Sequence, residues 1–305
     1  MLFPGQGAQK PGMGKDFAEA YPEARHTFEL ADDLLGMHLS KLIFEGSEEE
    51  LSRTEISQPA LFVTSCALLA TLQRLFPELK PQAVAGLSLG EYTALFAGGY
   101  MGFTEVLELV KKRGELMSSA CEKSEGTMAV ILGLEADAVE EMVQGSCDLW
   151  AANFNCPGQV VISGTKQGVA RGAELAKERG ARRVMPLAVQ GAFHSGLMRS
   201  AEEGLIPFLE RAPLKMGATP LFMNVSGERP RDLVELKKNL AAQVTKPVRF
   251  EQSLRKMGAI GSDIFLEIGP SATLSGMVRK TLPDAKTISV GALSDLAKLE
   301  MEIES

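Results

Sequence analysis

The stretch Ala83-Val84-Ala85-Gly86-Leu87-Ser88-Leu89-Gly90-Glu91 decides how the rest of the chain is organised. Three small apolar residues feed straight into G-x-S-x-G, the pattern of a nucleophile elbow, in which a serine stands on a sharp turn between a strand and a helix. Such a turn strains the serine backbone, and glycines two residues to either side leave room for the two chain segments to pass closely. Ser88 is therefore expected at a strand end. Its hydroxyl would lie at the N-terminus of a helix starting near Gly90, where free backbone N–H groups favour a developing negative charge. The N–H of Leu89 becomes a natural oxyanion donor. The plainer alternative is a tight turn with a polar residue at its tip, because G-x-S-x-G also recurs by chance; the strand before it and the helix after it favour the elbow.

Outward from the elbow, the chain alternates apolar runs with helical patterns. Upstream, Gly5-Gln6-Gly7-Ala8-Gln9 resembles a dinucleotide fingerprint but fails as one: Lys10 occupies the third small position, and Pro11-Gly12 follow where a helix should run. A helix is predicted over Asp16–Leu35 with a break around Pro22, a capping box at Ser47–Glu50, and an apolar helix with Pro59 in its first turn that runs to about Phe76. Downstream, Thr104 is expected to cap a helix reaching about Cys121. From Thr127 the units shorten: strand 128–132, helix 136–143, strands 149–153 and 159–163, helix 168–179 and strand 183–189. That order is βαββαβ. Strands at 221–225, 264–268 and 287–290 and a helix at 232–243 then resume the larger pattern. The expected architecture is α/β, with an α/β-hydrolase-like core and a mostly parallel sheet built from residues 1–122 and 194–305. A small ferredoxin-like domain, 123–193, is inserted into it.

The bulk numbers suit this architecture. With 305 residues, 45% hydrophobic and 23% charged, the chain can bury a substantial core. A net charge of -7 argues against a nucleic-acid partner. The longest apolar run, Ala60 to Leu72, is too short to span a bilayer, and no basic-then-apolar leader opens the chain, so no membrane partner is expected. Four cysteines (Cys66, Cys121, Cys147, Cys156) form no C-x-x-C pair and no metal-ligand spacing. A reducing cytoplasm is the expected location, and no metal the expected state.

A serine nucleophile needs a base, and histidine is the usual one. Of three histidines, His26 lies in a charged helix and His38 in a short segment after Gly36. His194 follows Gly191-Ala192-Phe193, just beyond the last strand of the inserted domain, where ligands commonly bind at a domain junction. Its alternative role is to cap a helix beginning at Ser195. A further candidate comes from Lys111-Lys112-Arg113, whose members project about 100° apart on a helix and cannot share a face. The helical neighbours of Arg113 are Leu109, Val110, Leu116 and Met117, so Arg113 points into the core. A guanidinium there requires an anionic partner, either a structural Asp or Glu or the carboxylate of a substrate.

With these residues in view, the chain resembles the malonyl-CoA:acyl carrier protein transacylases of fatty-acid synthesis over nearly its whole length. The resemblance is carried by FPGQGAQ (3–9), T-x-x-x-QPA (54–60), GLSLGEYTAL (86–95), Arg113, NFNCPGQVVISG (153–164), GAFHSGLM (191–198), QVTKPVRF (243–250) and LEIGP (266–270). It implies Ser88 as nucleophile, His194 as base, Arg113 as carboxylate clamp, the N–H groups of Gln6 and Leu89 as oxyanion hole, and the main-chain carbonyl of Gln243 as the group that orients the imidazole. It implies malonyl-CoA and an acyl carrier protein as partners, a monomer, and no cofactor beyond the thioester substrate. Two departures are visible. The first strand, with only Met1 and Leu2 ahead of Phe3-Pro4, suggests a looser sheet edge and a looser Gln6, and Ala192 stands where proline is common. Phe193 is expected to crowd a branched acyl group, and Arg182, Arg183, Arg199, Lys246 and Arg249 are candidate carrier contacts. A simple esterase and a silent docking module are the rival functions.

Overall fold

The structure is a computed structural model that describes residues 1–189, 191–262 and 264–303. In chain order, β1 (Leu2–Phe3) leads to α1 (Lys15–Ala20) and α2 (Pro22–Leu35), with the break placed by Pro22 at the first turn of α2. α3 (Leu39–Glu45) and α4 (Glu48–Ser52) follow. Ser47 and Glu50 form the capping box of α4, the Ser47 N–H donating to the Glu50 carboxylate at 2.9 Å. Next come α5 (Thr54–Leu75), β2 (Val84–Gly86), α6 (Gly90–Ala97) and α7 (Phe103–Lys123). The shorter units are β3 (Thr127–Leu132), α8 (Ala136–Val143), β4 (Leu149–Cys156), β5 (Gln159–Gly164), α9 (Lys166–Glu178) and β6 (Arg183–Pro186). The chain continues through α10 (Arg199–Arg211), β7 (Leu221–Phe222), α11 (Leu233–Ala242), α12 (Phe250–Ala259), β8 (Ile264–Ile268), α13 (Thr273–Thr281), β9 (Lys286–Val290) and α14 (Leu296–Ile303).

Two helix starts differ from expectation. α5 begins at Thr54, so Pro59 lies inside it. The missing proline N–H removes one intrahelical bond close to the helix start, which burial of the following turns offsets. α7 begins a residue before Thr104, and the Val106 N–H donates to the Gly102 carbonyl at 3.1 Å, so Thr104 is a helical residue rather than a cap. The full length of α5 is also enough to cross a membrane, unlike the apolar run inside it. It is nevertheless a core helix: 83% of its most apolar window is buried, and every residue from Ser57 to Leu69 is inaccessible.

The chain forms two compact units, the first made of Met1–Gly114, Pro213–Phe222 and Met257–Ser305, the second of Glu115–Ala212 and Met223–Lys256. The first holds a five-stranded parallel sheet in the order β7-β2-β1-β8-β9. Its short first strand is central, not an edge: Leu2 pairs with Ala85 on one side and Glu267 on the other, and both β1 residues are fully buried. Beside this sheet's core, Phe62 of α5 stacks on Phe103 at 5.4 Å between ring centroids and meets Phe96 edge-on.

The second unit holds an antiparallel sheet, β4-β5-β3-β6, the order of a ferredoxin-like βαββαβ. α8 and α9 cover one face through Val139, Val169, Ile131, Leu149, Phe154 and Ile162. The unit extends beyond the 123–193 interval read from sequence, and the large domain does not resume at 194. Val248 explains part of this, because its N–H donates to the Ala152 carbonyl and its own carbonyl accepts from the Phe154 N–H, both at 2.8 Å. α10 packs on α11, and the Thr245 hydroxyl donates to Glu202 at 2.6 Å, so both later segments stay with the small sheet.

Candidate active site

In the first unit, β2 ends at Gly86 and α6 begins at Gly90, leaving Ser88 on the turn at φ 53°. The two glycines are required by contact. A Cβ on Gly86 would strike the Gly90 carbonyl, and one on Gly90 would strike the Phe3 carbonyl at the end of β1. Gly5 packs on the same turn: a Cβ there would strike the Leu87 carbonyl and stand 3.7 Å from the Leu89 nitrogen. The loop carrying Gln6 is thus held against the elbow. The Gln6 side chain is anchored separately, its Nε2 donating to Thr54 Oγ1 at 3.3 Å at the start of α5. Leu89 is the residue immediately before α6, ahead of the Gly90, Glu91 and Tyr92 N–H groups that donate to the Leu87, Ser88 and Leu89 carbonyls.

Arg113 is 1% exposed, as its helical neighbours require. Its Nη1 donates to Gln58 Oε1 at 2.6 Å and its Nη2 to Ser88 Oγ at 3.1 Å. The guanidinium carbon sits 5.4 Å from the centre of the Tyr92 ring. Close approach of α7 to α5 makes this possible, since a Cβ on Gly114 would already lie 3.1 Å from Glu55 Cα. Burial pushes the guanidinium below its ordinary pKa, while Tyr92 and the buried carboxylate of Glu91 oppose that shift. Burial likewise pushes the Tyr92 hydroxyl up to about 12. Gln58 and Ser88, which accept from the guanidinium, are neutral, and the buried carboxylate of Glu91 adds an electrostatic attraction.

In the second unit, His194 is 3% exposed with φ 56°. Among the described residues, Ser88 and His194 are the non-glycine residues with positive φ. Backbone strain of that kind concentrates at functional positions. His194 Nδ1 lies 2.7 Å from the Gln243 carbonyl. A carbonyl only accepts, so Nδ1 carries a proton; in the neutral imidazole Nε2 then keeps its lone pair, the tautomer a general base needs. Gln243 is itself fully buried and its Nε2 donates to Asn224 Oδ1 at 3.3 Å. The helix-capping role open to His194 falls to Ser195, whose Oγ accepts from the Leu197 N–H at 3.2 Å at the start of a short 3-10 turn, Gly196–Met198. His26 and His38 are exposed on the first unit.

Gln58, Tyr92 and Asn224 are the neighbours that sequence did not single out. Gln58 lies in the quoted QPA block and Tyr92 in the elbow block, so both were visible as letters without a partner. Of the candidate carrier contacts, Arg249 is already engaged, donating to Glu140 at 2.8 Å with its guanidinium carbon 5.2 Å from the Phe154 ring centre. Among the described residues no group of three or more His, Cys, Asp or Glu is placed to hold a metal.

A serine on a strand-to-helix elbow with a buried guanidinium at its hydroxyl is the arrangement of an acyl-transfer site, and the chain belongs to the acyl transferase domain family, which it matches over residues 1–299. Within that family it is similar to malonyl CoA-acyl carrier protein transacylases. It is 44% identical to the Bacillus subtilis (strain 168) protein of that name, over 100% of this chain and 96% of the relative. The solved malonyl CoA-acyl carrier protein transacylase of Clostridium perfringens superposes with a TM-score of 0.94 at 35% identity, covering 99% of this chain and 96% of that one. A malonyl-transacylase solved in complex with its type II PKS acyl-carrier protein superposes at 0.92, with 35% identity over 99% of this chain and 98% of that one.

Proposed function

We propose that this protein transfers the malonyl group from malonyl-CoA to the phosphopantetheine thiol of an acyl carrier protein, supplying fatty-acid chain elongation. The observation that carries the proposal is the 3.1 Å approach of the Arg113 guanidinium to Ser88 Oγ: a cation within one short acyl chain of the nucleophile suits an acyl group that ends in a carboxylate. Ser88 attacks the thioester carbonyl, the N–H groups of Gln6 and Leu89 receive the oxyanion, and coenzyme A departs as the thiol. The carrier thiol then attacks the malonyl-serine ester and regenerates Ser88. In both halves His194 Nε2 takes the nucleophile's proton and returns it to the leaving group, with Nδ1 fixed by Gln243. The chemistry draws on side chains and backbone N–H groups and calls for no metal or redox cofactor. The enzyme acts as a monomer in the cytoplasm, where four cysteines that form no disulfide are stable.

The test is intact mass after exposure to malonyl-CoA, then to carrier protein. A single malonyl adduct that is absent in Ser88→Ala and discharged by the carrier is expected. Turnover without an adduct, or an adduct that persists in Ser88→Ala, would overturn the mechanism.

A further inference from the structure

The block T-x-x-x-QPA opens α5 and holds none of the reacting groups. Residues four apart on a helix lie on one face, so Thr54 and Gln58 are neighbours there. Each grips a different part of the site. Gln58 Oε1 accepts from Arg113 Nη1 at 2.6 Å, and Thr54 Oγ1 accepts from Gln6 Nε2 at 3.3 Å. The N-cap residue of α5 is Arg53, so capping is not what the Thr54 hydroxyl is for. The Thr54 backbone packs closely on α7: a Cβ on Gly114, next to Arg113, would lie 3.2 Å from the Thr54 carbonyl oxygen. Inside the Gln6 loop, the Ala8 N–H donates to the Gly5 carbonyl at 3.3 Å and the Gly7 N–H to Gln9 Oε1 at 2.7 Å. These bonds shape the turn without placing it. Ahead of Gln6, placement comes from the Leu87 N–H on the Phe3 carbonyl at 3.0 Å and from Gly5 packed on the Leu87 carbonyl; at Gln6 itself it comes from Thr54.

We infer that Thr54 is a positioning residue for the oxyanion hole: its hydroxyl holds the Gln6 side chain so that the Gln6 N–H stays aimed at the place where the oxyanion forms beside Ser88. This rests on the oxyanion role proposed above for that N–H. A donor stabilises the oxyanion only when it is already in place, and a shift well under an ångström weakens it. The four-residue spacing from Thr54 to Gln58 then has a purpose, since one helical turn sets the oxyanion donor and the Arg113 guanidinium in a common register. The two grips differ in what they govern. Every acyl group forms an oxyanion, so loss of the Thr54 grip slows all of them alike, whereas loss of Arg113 singles out the acyl group that ends in a carboxylate.

The experiment reads acylation of Ser88 by intact mass after rapid quench, with malonyl-CoA and with acetyl-CoA, in wild type, Thr54→Val, Thr54→Ser, Gln6→Ala and the Thr54→Val/Gln6→Ala double variant, each with a thermal melt. Thr54→Val keeps the shape and loses the acceptor. It should lower the maximal rate by about fivefold on both substrates at an unchanged half-saturating concentration, because the oxyanion exists only beyond the ground state. Gln6→Ala should lose about as much and the double variant little more than either, while Thr54→Ser stays within about twofold of wild type. No loss in Thr54→Val, an equal loss in Thr54→Ser, a loss confined to half-saturation or to malonyl, or additive losses in the double variant would each overturn the inference. Should Thr54→Val fail to fold, Gln6→Ala removes the same bond from the other side: a rate loss shared by both substrates supports positioning, and an unchanged or malonyl-only rate overturns it. The oxyanion role is tested apart, by replacing the Gly5–Gln6 peptide bond with an ester, which deletes the Gln6 N–H and keeps its side chain on Thr54. A loss of about 100-fold on both substrates is expected, and a rate within about threefold of wild type would mean that Gln6 is not a donor, whatever Thr54 does.

Discussion

The two non-glycine residues held at positive φ among the described residues are built in opposite ways. Ser88 is shaped by its immediate neighbours: two glycines that nothing larger can replace, a strand ending two residues earlier at Gly86, the Leu87 carbonyl packed on Gly5, and a helix starting at Gly90. His194 has no such local frame. Its imidazole is fixed by a carbonyl 49 residues further on, and that carbonyl is fixed by a side chain of Asn224 and by the pairing of Val248 with β4. A nucleophile made by local geometry tolerates little change in its own segment. A base made by distant contacts can be disturbed from several places, each weakly.

The largest test of this contrast removes the reacting groups themselves. Ser88→Ala and His194→Ala should each lower malonyl transfer by about 10⁴-fold or more, and the double variant should fall little further, because nucleophile and base act as a unit. Additive losses in the double variant would show that the two do not serve one reaction. Next in size is Arg113→Ala, expected to reduce kcat/KM for malonyl-CoA by about 30- to several-thousandfold while acetyl transfer holds or rises. Arg113→Lys should recover little, since an ammonium lacks the planar fork.

The local frame is broken more directly by Gly90→Ala, which drives a methyl into the Phe3 carbonyl of the central strand. A loss of about 1–3 kcal/mol in unfolding free energy is expected by denaturant titration. An unchanged midpoint would mean that the elbow and β1 can separate at no cost. The distant frame is probed by Asn224→Ala, which removes one acceptor from the Gln243 amide. A fall in kcat of about fivefold is expected together with a loss of about 1–3 kcal/mol in unfolding free energy, in keeping with one buried hydrogen bond. A loss as large as that of His194→Ala would place Asn224 in the chemistry instead.

The same contrast explains what is legible in the sequence. The elbow, the break at Pro22, the capping box at Ser47 and the strand 264–268 are encoded by residues within a few positions of one another, and reading them needs no knowledge of the fold. Arg113 is legible halfway: helical periodicity shows that it is buried, but the partner that holds it, Gln58, lies 55 residues earlier on another helix. Gln243 reaches its role through a main-chain atom, so no property of its side chain announces it, and only resemblance to known transacylases points there. The boundary of the small unit is missed for a related reason. Residues 223–256 carry helix and loop patterns that suit either unit, and the pairing of Val248 with β4, the packing of α11 on α10 and the Thr245–Glu202 hydrogen bond assign them.

The central place of β1 has a consequence for how the molecule comes into being. Leu2 must pair with Glu267, so β1 waits for a strand made long after it. During that interval α5, apolar enough by composition to enter a bilayer, has been made but lacks β8 and β9 of its own unit. The arrival of β8, rather than the appearance of any early segment, is the moment at which the first unit can close. Until then the nascent chain carries a long apolar helix without those partners, the kind of exposed surface that makes a folding chain prone to aggregate.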